Sequence, residues 1–490
     1  MAPTLVLILA AGEGTRMRSS TAKVLHEANG RSMLGHVLSA ARPLGATTTC
    51  VVVGHQRDRV REHLASGHPD VRTAVQDEQH GTGHAVRVSL EQLVADGVGV
   101  EAGTVVVLTG DTPLLTAATL QALHDAHAQS GAAATVLTAV IEDATGYGRI
   151  LRDADGGVLG IVEHRDATDD QRAIGEFNSG IYVFDLALLR RALTRLTTNN
   201  AQGEEYLTDV LAILRADGHG IAASVVADAD EVMGVNDRVQ LAIASRLLRD
   251  RVNERHMRAG ATIIDPATTW IEDGVTIARD VVIEPNTHLR GTTRIDEGAL
   301  VGPDTMLRDC IVGAGASVVK SHAIGAVIGP RAGVGPYTYL RPGTVLGEKA
   351  KAGAYVEMKA ATVGVGSKVP HLSYVGDAEI GDDTNIGAAT IFANYDGVAK
   401  HRTIVGSGVR IGSDTVIVAP ATIGDGAYTG AGSVVTGHVP AGSLAVARAA
   451  MRIIERWVLR KREGTTSATL AQIALDKAAL DMAAPERDEA

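Results

Sequence analysis

A six-residue period governs the chain beyond residue 260. An aliphatic residue opens each hexad, and Gly, Asp or Pro lies near it. Such hexapeptide repeats are typical of a parallel β-helix, in which each short strand buries one aliphatic side chain and stacked coils pair one another's backbone groups. We therefore predict an all-β, left-handed parallel β-helix over residues 261–447. The opening positions of three unbroken runs are Ile277, Ile283, Leu289, Ile295, Val301, Leu307, then Ile328, Val334, Leu340, Leu346, and finally Val405, Ile411, Ile417, Ile423 and Thr429.

A loop interrupts this period between Asn394 and Arg402. Insertions into a regular solenoid project from the coils and tend to carry function. Residues 448–490 follow the β-helix as a C-terminal segment. Within it, Met451 to Arg462 is predicted to form a basic helix, and the residues after Gly464 are expected to be weakly ordered.

The first half of the chain has a different pattern. Apolar runs such as Thr49 to Val53 and Val105 to Leu108 alternate with helical stretches such as Ala117 to His127. This alternation predicts an α/β domain over residues 1–235, with a Rossmann-like parallel sheet covered by helices on both faces. Residues 236–260 show helical spacing without a strand partner and are predicted to form a connecting helix.

Composition limits the possible partners. Among the 490 residues, aromatic side chains make up only 3% while Gly reaches 55, as a core of stacked short strands requires. The formal net charge of -11 opposes binding to nucleic acid or a membrane surface, since both are polyanionic. Cys50 and Cys310 indicate no disulfide framework and fit a reducing compartment. The apolar run Leu5 to Ala11 lacks a basic leader and is too short for a bilayer, so we expect a buried first strand and a cytoplasmic protein.

A glycine-rich turn follows this first strand, with the sequence Gly12-Glu13-Gly14-Thr15-Arg16. Ligands of α/β sheets bind at the carboxyl ends of the strands. The turn matches neither the dinucleotide fingerprint nor the P-loop. Its glycines let backbone N–H groups approach phosphates, and Arg16 with Lys23 can neutralise a triphosphate. On these residues alone, a solvated turn remains the alternative.

Two further loops carry polar residues. Gln76 precedes Gly81-Thr82-Gly83-His84-Ala85, which opens a helix and can present small residues to a base edge. Thr109-Gly110-Asp111 ends another strand, and Asp111 suits Mg²⁺, which takes one or two protein oxygens and completes its shell with water and phosphate. Helix capping is the competing role for Asp111, because Pro113 follows it, and for Asn236.

The β-helix also carries candidate catalytic groups. Arg341 and Lys359 place two cations a short distance apart, where they can clamp a sugar phosphate. The near-neutral pKa of histidine suits His371 to remove a proton from a sugar amine that attacks a thioester. Asn385, Ala388 and the loop that begins at Asn394 add polar groups and backbone donors near an acyl oxyanion. A merely exposed histidine is the alternative for His371 alone.

Taken together and in this order, the N-terminal loops resemble those of sugar-1-phosphate nucleotidyltransferases. Gly146 to Ile150, Ile161 to His164, Asn178 to Gly180 and Tyr206 to Asp209 extend the match. With the hexapeptide half behind them, residues 4–462 resemble a family of bacterial bifunctional enzymes. Its members combine N-acetylglucosamine-1-phosphate uridylyltransferase and glucosamine-1-phosphate N-acetyltransferase activities.

The resemblance implies roles for single residues in the N-terminal half. Asp111 and Asn236 would hold Mg²⁺, while Arg16 and Lys23 would act on the phosphates. The sugar phosphate would contact Gly148, Glu163, Asn178 and Asn236. The residues implied to bind UTP are Leu9, Ala10, Ala11, Gly12, Lys23, Gln76, Gly81, Thr82, Thr109, Gly110 and Asp111. Two departures from the family pattern are Ala22, where proline is usual before the lysine, and Glu13 in the phosphate loop.

In the C-terminal half the resemblance implies that His371 is the general base. The acceptor sugar would contact Arg341, Lys359, Tyr374 and Asn385. The residues implied to bind acetyl-CoA are Ala388, Asn394, Tyr395, Ser413, Ala431 and Arg448. Asn394-Tyr395-Asp396-Gly397 is intact, whereas the preceding Ile391-Phe392-Ala393 departs from the family.

The resemblance implies a homotrimer with acyl sites at subunit boundaries, and a product, UDP-N-acetylglucosamine, that feeds bacterial cell-wall synthesis. The small-molecule substrates would be glucosamine 1-phosphate, acetyl-CoA, N-acetylglucosamine 1-phosphate and UTP. Two other hypotheses stand beside this one. In the first, a nucleotidyltransferase carries a β-helix that only oligomerises or senses an effector. In the second, the N-terminal half is a nucleotide-sensing module without enzymatic activity.

Overall fold

The computed structural model describes residues 2–483, which form an α/β domain, a long helix and a three-faced solenoid. The α/β domain is built on one twisted sheet. Its strands, in spatial order, are Ile221–Val225, Ala134–Val140, Glu176–Asp185, Thr104–Thr109, Leu5–Ala10, Thr48–Val53 and Arg72–Val75, with Arg149–Arg152 and Val158–Val162 attached through Glu176–Asp185.

Helices cover both faces of this sheet. They bury two apolar clusters, one on each side of the strand Leu5–Ala10, whose alternate residues belong to different clusters. The α-helices are Met33–Ala41, Arg57–Gly67, Thr82–Ala95, Ala117–Ser130, Asp169–Arg172, Leu186–Leu193 and Asp209–Ala216. Short 3₁₀ turns occupy Thr15–Met17, Lys23–Leu25, Arg42–Leu44 and Ala229–Val232, and Glu27–Ala28 pairs with Arg31–Ser32.

The sheet is mixed, which corrects the prediction of a parallel sheet. Strand Glu176–Asp185 runs antiparallel to both of its neighbours, Thr104–Thr109 and Ala134–Val140. Its alternation of buried and half-buried residues gives no information on strand direction, since both kinds of strand present buried apolar runs. The Rossmann-like order around Leu5–Ala10 is otherwise present, with parallel pairing on both sides.

A long helix, Arg238–Arg258, joins the two halves and seals one end of the solenoid. The fully buried Asn253 donates from Nδ2 to the carbonyls of Pro266 and Thr269, both at 3.0 Å. The Arg249 guanidinium lies 4.9 Å from the centre of the Trp270 ring. The first coil has no preceding coil to pair with its backbone, so the helix supplies contacts to it instead.

The solenoid has the architecture that the hexad period predicts, consistent with a left-handed β-helix. All its ladders are parallel, and the hexad residues fill one continuous apolar core. Ile277, in the first coils, is the one predicted hexad position that is only partly buried. One sheet of the prism contains Thr262–Ile263, Val282–Ile283, Leu300–Val301, Ser317–Val318, Gly333–Val334, Lys351–Ala354, Lys368–His371, Asn385–Ile386, Arg410–Ile411, Tyr428–Thr429 and Leu444–Ala445.

The other two faces are continuous through longer strands in the later coils. One begins with Trp270–Ile271, Thr287–Arg290, Thr305–Arg308, His322–Ile324 and Tyr339–Leu340, and the other with Thr276–Ile277, Arg294–Ile295, Ile311–Val312, Val327–Ile328 and Val345–Leu346. The longer or later strands are Glu357–Val363, Tyr374–Ile380, Ile391–Ala393, Thr403–Val405, Val416–Ile423 and Val434–Val439. The loop between Ala393 and Thr403 is the predicted interruption.

The C-terminal segment differs from its prediction in two respects. The basic helix spans only Trp457–Lys461, because Arg456 has a left-handed φ of 54° that breaks the helical path before it. Residues Thr466–Ala483, expected to be weakly ordered, form a helix instead. Its Ala, Leu and Gln residues have high helix propensity, and the Thr465 hydroxyl accepts from the Ala468 N–H at the helix start. Residues 484–490 of that prediction lie outside the described part of the chain. Within residues 2–483, no helix is long and apolar enough to cross a bilayer.

Candidate active sites

A cleft of about 320 Å³ opens at the carboxyl ends of strands Leu5–Ala10 and Thr104–Thr109. Nearly all residues implied to bind the nucleotide line it. Those residues are Leu9, Ala10, Ala11, Gly12, Lys23, Gln76, Gly81, Thr82, Thr109 and Asp111. Gly110 is the exception: it does not line the cleft, and its N–H donates to the Leu9 carbonyl at 2.9 Å. The wall also contains Ala85, from the predicted loop, and Val24, Gln79 and Glu204, which the sequence did not single out.

Two glycines are required by the backbone around this cleft. Gly81 has a φ of 106°, and a Cβ there would lie 2.5 Å from the Glu205 carbonyl oxygen. Gly14 has a φ of 62°, and its Cβ would lie 2.6 Å from the Lys23 Cβ. Any L side chain would therefore be strained at both positions and would displace Lys23 or the segment at Glu205.

The Lys23 ammonium lies between two oxygen donors from distant parts of the chain. It forms an ion pair with Asp111 and donates to Asn236 Oδ1 at 2.8 Å. Arg16 donates to the same Asn236 oxygen at 2.9 Å. One carboxylate and one amide oxygen thus converge on a single cation, which is the kind of donor set that Mg²⁺ prefers. These residues fit a divalent ion that completes its shell with water and phosphate oxygens. The described residues include no cluster of three or more His, Cys, Asp or Glu side chains able to hold a metal.

Ala22 and Glu13, the two departures from the family pattern, both fit the local structure. Ala22 has φ −55° and ψ 138°, values that proline adopts, so the chain keeps the geometry before Lys23 without the ring. The Glu13 side chain is exposed to solvent. Its charge is therefore largely screened from the cleft.

Three of the four residues implied to bind the sugar phosphate, Gly148, Glu163 and Asn178, lie together in or next to the adjoining strands. The Asn178 N–H donates to the Gly148 carbonyl at 2.9 Å. A Cβ on Gly148 would lie 3.4 Å from a carboxylate oxygen of Glu163, so the two residues are close neighbours. Thr208 donates to Glu163 at 3.3 Å. Burial, with the nearby charges of Asp166 and Asp209, raises the pKa of Glu163 above its ordinary value.

Tyr147 connects this group to the metal-binding candidates. Its ring packs 4.4 Å from that of Phe177, and its hydroxyl lies near the backbone of Gly234, two residues before Asn236. Burial raises the pKa of Tyr147. The candidate sugar-binding residues therefore adjoin the candidate metal-binding residues in the α/β domain.

Arg341 and Lys359 lie one coil apart on the same face of the solenoid. Leu340 pairs with Met358, which places Arg341 directly beside Lys359. Arg341 donates to Glu357 at 3.0 Å, and the Lys359 ammonium lies 3.6 Å from the Asp377 carboxylate. Lys400, from the interrupting loop, joins them, and the ammonium of Lys359 lowers the pKa of Lys400. The sequence analysis missed Lys400, although the loop that carries it was the signal.

His371 begins a column that runs along the prism, one residue per coil. The His371 carbonyl accepts from Ala389, the Ala388 carbonyl from Asp414, and the Ser413 carbonyl from Gly432, at 3.1, 2.7 and 2.9 Å. The ladder registers extend this column to Ala431. The His371 side chain is exposed at this edge. The candidate base and three of the residues implied to bind acetyl-CoA therefore share one edge of the solenoid.

Tyr374 and Asn394 meet beside Gly376, close to Lys359 in the ladder. A Cβ on Gly376 would lie 2.5 Å from the Tyr374 hydroxyl and 2.7 Å from Asn394 Nδ2. Lys359 pairs with Gly376 in register, so the cations and these polar groups face the same space. Asn394 also donates to Asp377 and is largely buried. Asn385 lies on the neighbouring sheet, where it pairs with Lys368.

Asp396 holds the interrupting loop in shape. Its carboxylate accepts from the N–H groups of Ala399 and Val398, at 2.7 and 2.8 Å, and pairs with His401 at 2.7 Å. These contacts lower the pKa of Asp396. Tyr395, which follows the buried Asn394, is exposed, and its hydroxyl donates to the Gly397 carbonyl.

Arg448 lies just past the last strand of the solenoid, Leu444–Ala445, and is exposed. The ladder register places Ala447 beside Ala431, so Arg448 lies at the far end of the His371 column. A cation at this distance from the base can meet the phosphates of a long acyl carrier.

Each half of the chain therefore presents one set of converging groups. The α/β domain offers oxygen ligands and cations at a cleft, as phosphoryl chemistry requires. The solenoid offers an exposed imidazole at one edge and a cluster of cations on another face, groups that suit acyl transfer to a phosphorylated amine.

Comparisons with known proteins match both halves. A family model described as the MobA-like NTP transferase domain matches residues 6–154, and one described as bacterial transferase hexapeptide (six repeats) matches residues 402–437. Curated proteins named bifunctional protein GlmU are similar over almost the whole chain. The one from Streptomyces avermitilis is 58% identical over 97% of this chain and 98% of its own length. The one from Pseudarthrobacter chlorophenolicus is 56% identical over 99% of this chain and 98% of its own length.

Proposed function

The chain belongs to the GlmU family of bifunctional proteins, and on that premise we propose how its residues carry out the two reactions. The protein is an enzyme with uridylyltransferase and acetyltransferase activities that makes UDP-N-acetylglucosamine. Glucosamine 1-phosphate first receives an acetyl group from acetyl-CoA, and N-acetylglucosamine 1-phosphate then reacts with UTP. The observation that carries this assignment is the match of relatives named bifunctional over 97% of the chain.

In the α/β domain, the sugar phosphate attacks the α-phosphorus of UTP in line, and pyrophosphate leaves. The residues act by positioning and by neutralising charge rather than as nucleophiles. Arg16 and Lys23 face the phosphates, the backbone from Leu9 to Gly12 lines the cleft, and Gln76, Gly81 and Thr82 hold the base. Gly148, Glu163 and Asn178 hold the sugar.

The uridylyl transfer requires a divalent metal, and we assign it as Mg²⁺ held by Asp111 and Asn236. When bound, the ion would neutralise charge on the phosphates. Lys23 contacts the same two oxygens and so holds Asp111 and Asn236 facing one another.

In the solenoid, His371 removes a proton from the amine of glucosamine 1-phosphate as the nitrogen attacks the thioester carbonyl. The C–N bond forms, the C–S bond breaks, and the CoA thiolate takes up a proton. Arg341 and Lys359 hold the sugar phosphate, and Tyr374 and Asn385 orient the ring. Asn394 with Tyr395 lies beside the acetyl group, while Ala388, Ser413, Ala431 and Arg448 follow the CoA chain.

We propose that the active form is a homotrimer in the cytoplasm. Hexapeptide solenoids present flat faces that suit oligomerisation, and the edge beside His371 exposes the stacked rings of Tyr337 and Tyr355, 5.1 Å apart. Cys50 and Cys310 are both buried free thiols, as a reducing compartment favours. A monomer in light scattering at working concentration would contradict the trimer.

The hypothesis that the solenoid is only a scaffold is not favoured. It leaves the column from His371 to Ala431 and the cations around Lys359 without a role. A direct test incubates the purified chain with glucosamine 1-phosphate, acetyl-CoA, UTP and Mg²⁺, and detects UDP-N-acetylglucosamine by mass spectrometry. Omitting acetyl-CoA should leave both substrates unchanged, and omitting UTP should leave N-acetylglucosamine 1-phosphate. Product formed without acetyl-CoA would overturn the assignment of the two halves.

A further inference from the structure

One segment of the α/β domain, residues 204–208, connects the two substrate groups of the proposed uridylyl site. At one end Glu204 lines the nucleotide cleft. At the other end Thr208 donates to Glu163, the candidate ligand of the sugar. A displacement of this segment would therefore disturb both substrates at once.

The backbone of this segment contacts the nucleotide loop, which comprises His80 to Gly83. The Glu205 N–H donates to the His80 carbonyl at 2.7 Å, and the Glu205 carbonyl accepts from Gly83 at 2.8 Å. The Leu207 N–H donates to the Thr82 hydroxyl at 3.1 Å. Residues 204–208 and His80 lie outside regular secondary structure, so these backbone bonds alone hold the segment weakly against thermal motion.

An ion pair fastens the same contact from the side away from the cleft. Arg87, on the helix Thr82–Ala95, donates to both carboxylate oxygens of Glu205, from Nη2 at 2.8 Å and from Nε at 3.2 Å. The two side chains are 28% and 19% exposed, so solvent screens the pair less than it screens an ordinary surface pair. The bidentate geometry fixes the direction of the Glu205 side chain as well as its distance. The hydrogen bond to Glu205 raises the pKa of Arg87.

We infer that Arg87 and Glu205 are positioning residues for uridylyl transfer: their ion pair holds segment 204–208 against the nucleotide loop and so sets the affinity for both UTP and the sugar phosphate. Neither residue lines the cleft. The inference rests on the proposed function of this domain. Loss of the ion pair should therefore weaken the binding of both substrates, while Arg16 and Lys23, which act on the phosphates, stay in place.

The test compares Arg87→Gln, Glu205→Gln and the charge exchange R87E/E205R in the full-length enzyme. Each single variant should raise KM for UTP and for N-acetylglucosamine 1-phosphate about tenfold, or about 1.4 kcal/mol, with kcat changed less. The charge exchange should restore most of both KM values. Arg195→Gln, which removes the more exposed ion pair with Asp217 in the same domain, is the matched control and should leave both KM values unchanged.

Acetyl transfer in the same chain reports on folding. It should be equal in all variants, because Arg87 and its ion-pair partners Glu91 and Glu205 belong to the α/β domain. Unchanged KM values in the single variants, or a charge exchange as impaired as they are, would overturn the positioning role. A wild-type enzyme without uridylyl transfer would instead overturn the proposed function, so the two failures are distinguishable.

Discussion

The Lys23 ammonium and the Asn236 side-chain carbonyl lie 2.8 Å apart, although 213 positions separate them in the chain. Asn236 stands two residues before the connecting helix Arg238–Arg258. The nucleotide cleft is therefore completed by the segment that leads out of its own domain. Asn236 therefore links the cleft along the chain to the start of the helix that seals the solenoid.

Replacing Asp111 with asparagine should abolish most of the uridylyl transfer. The substitution removes the carboxylate that pairs with Lys23 and that would hold the metal, leaving two amides in its place. We expect the rate of pyrophosphate release to fall by about 100-fold or more at saturating Mg²⁺. Acetyl transfer by the same preparation should be unaffected. Full pyrophosphate release by this variant would rule out Asp111 as a metal ligand.

Replacing His371 with alanine should abolish acetyl transfer. The imidazole is the only candidate base that we assign to the thioester site, and general base catalysis contributes about 100- to 10,000-fold. Release of free CoA thiol, followed with a thiol reagent, measures the loss. Uridylyl transfer from preformed N-acetylglucosamine 1-phosphate should remain at the wild-type rate. Equal thiol release by the variant and the wild type would favour the hypothesis that the solenoid is only a scaffold.

Replacing Glu163 with glutamine should stabilise the protein while it weakens sugar binding. Burial raises the pKa of Glu163, so the neutral carboxyl is favoured in the folded protein. Its contribution to stability is complete below the ordinary pKa of 4.5 and is lost as the pH rises through the higher folded value. At pH 7 the buried ionised carboxylate destabilises the folded protein, and glutamine removes that charge.

We therefore expect the Tm of the glutamine variant to exceed that of the wild type by about 2 °C at pH 7. The difference should shrink as the pH is lowered toward 5. Differential scanning calorimetry at several pH values measures it, and KM for N-acetylglucosamine 1-phosphate should rise in the same variant. A lower Tm at pH 7 would mean that the hydrogen bond from Thr208 outweighs the burial of the charge.

Replacing Ala22 with proline should raise the free energy of unfolding by about 0.4–1 kcal/mol. The native φ of −55° already suits the ring. Among residues 2–483, the Ala22 N–H has no acceptor, so no hydrogen bond is lost. Urea denaturation followed by circular dichroism measures the change, and KM for UTP should stay constant. A destabilised variant would show that the buried position has no room for the added ring.

Local patterns were sufficient to predict the solenoid, since a single rule of burial repeats at every coil. The hexad positions from Ile283 to Thr429 are buried. The same rule placed Arg341 beside Lys359, because residues at equivalent positions of successive coils must be neighbours. The apolar runs of the α/β domain predicted strands but not their directions, which is why the antiparallel strand Glu176–Asp185 was missed.

Contacts between distant segments could not be predicted in the same way. The meeting of Lys23 with Asn236, or of Arg87 with Glu205, depends on how the connecting segments pack. No periodicity of the sequence encodes these contacts. The helix Thr466–Ala483 differs from the expectation of weak order because its Ala, Leu and Gln residues favour a helix locally, without a buried core.

The stacking from His371 through Ala388 and Ser413 to Ala431 fixes the distance between the two ends of this column. Successive coils are separated by about 4.8 Å, so these four residues span about 14 Å. On the assignment proposed above, a thioester at the imidazole must extend at least that far to meet Arg448, which requires a carrier with a long flexible arm. Deleting one whole coil between His371 and Arg448 would shorten this reach by a fixed increment, and the enzyme would then select a shorter carrier or none.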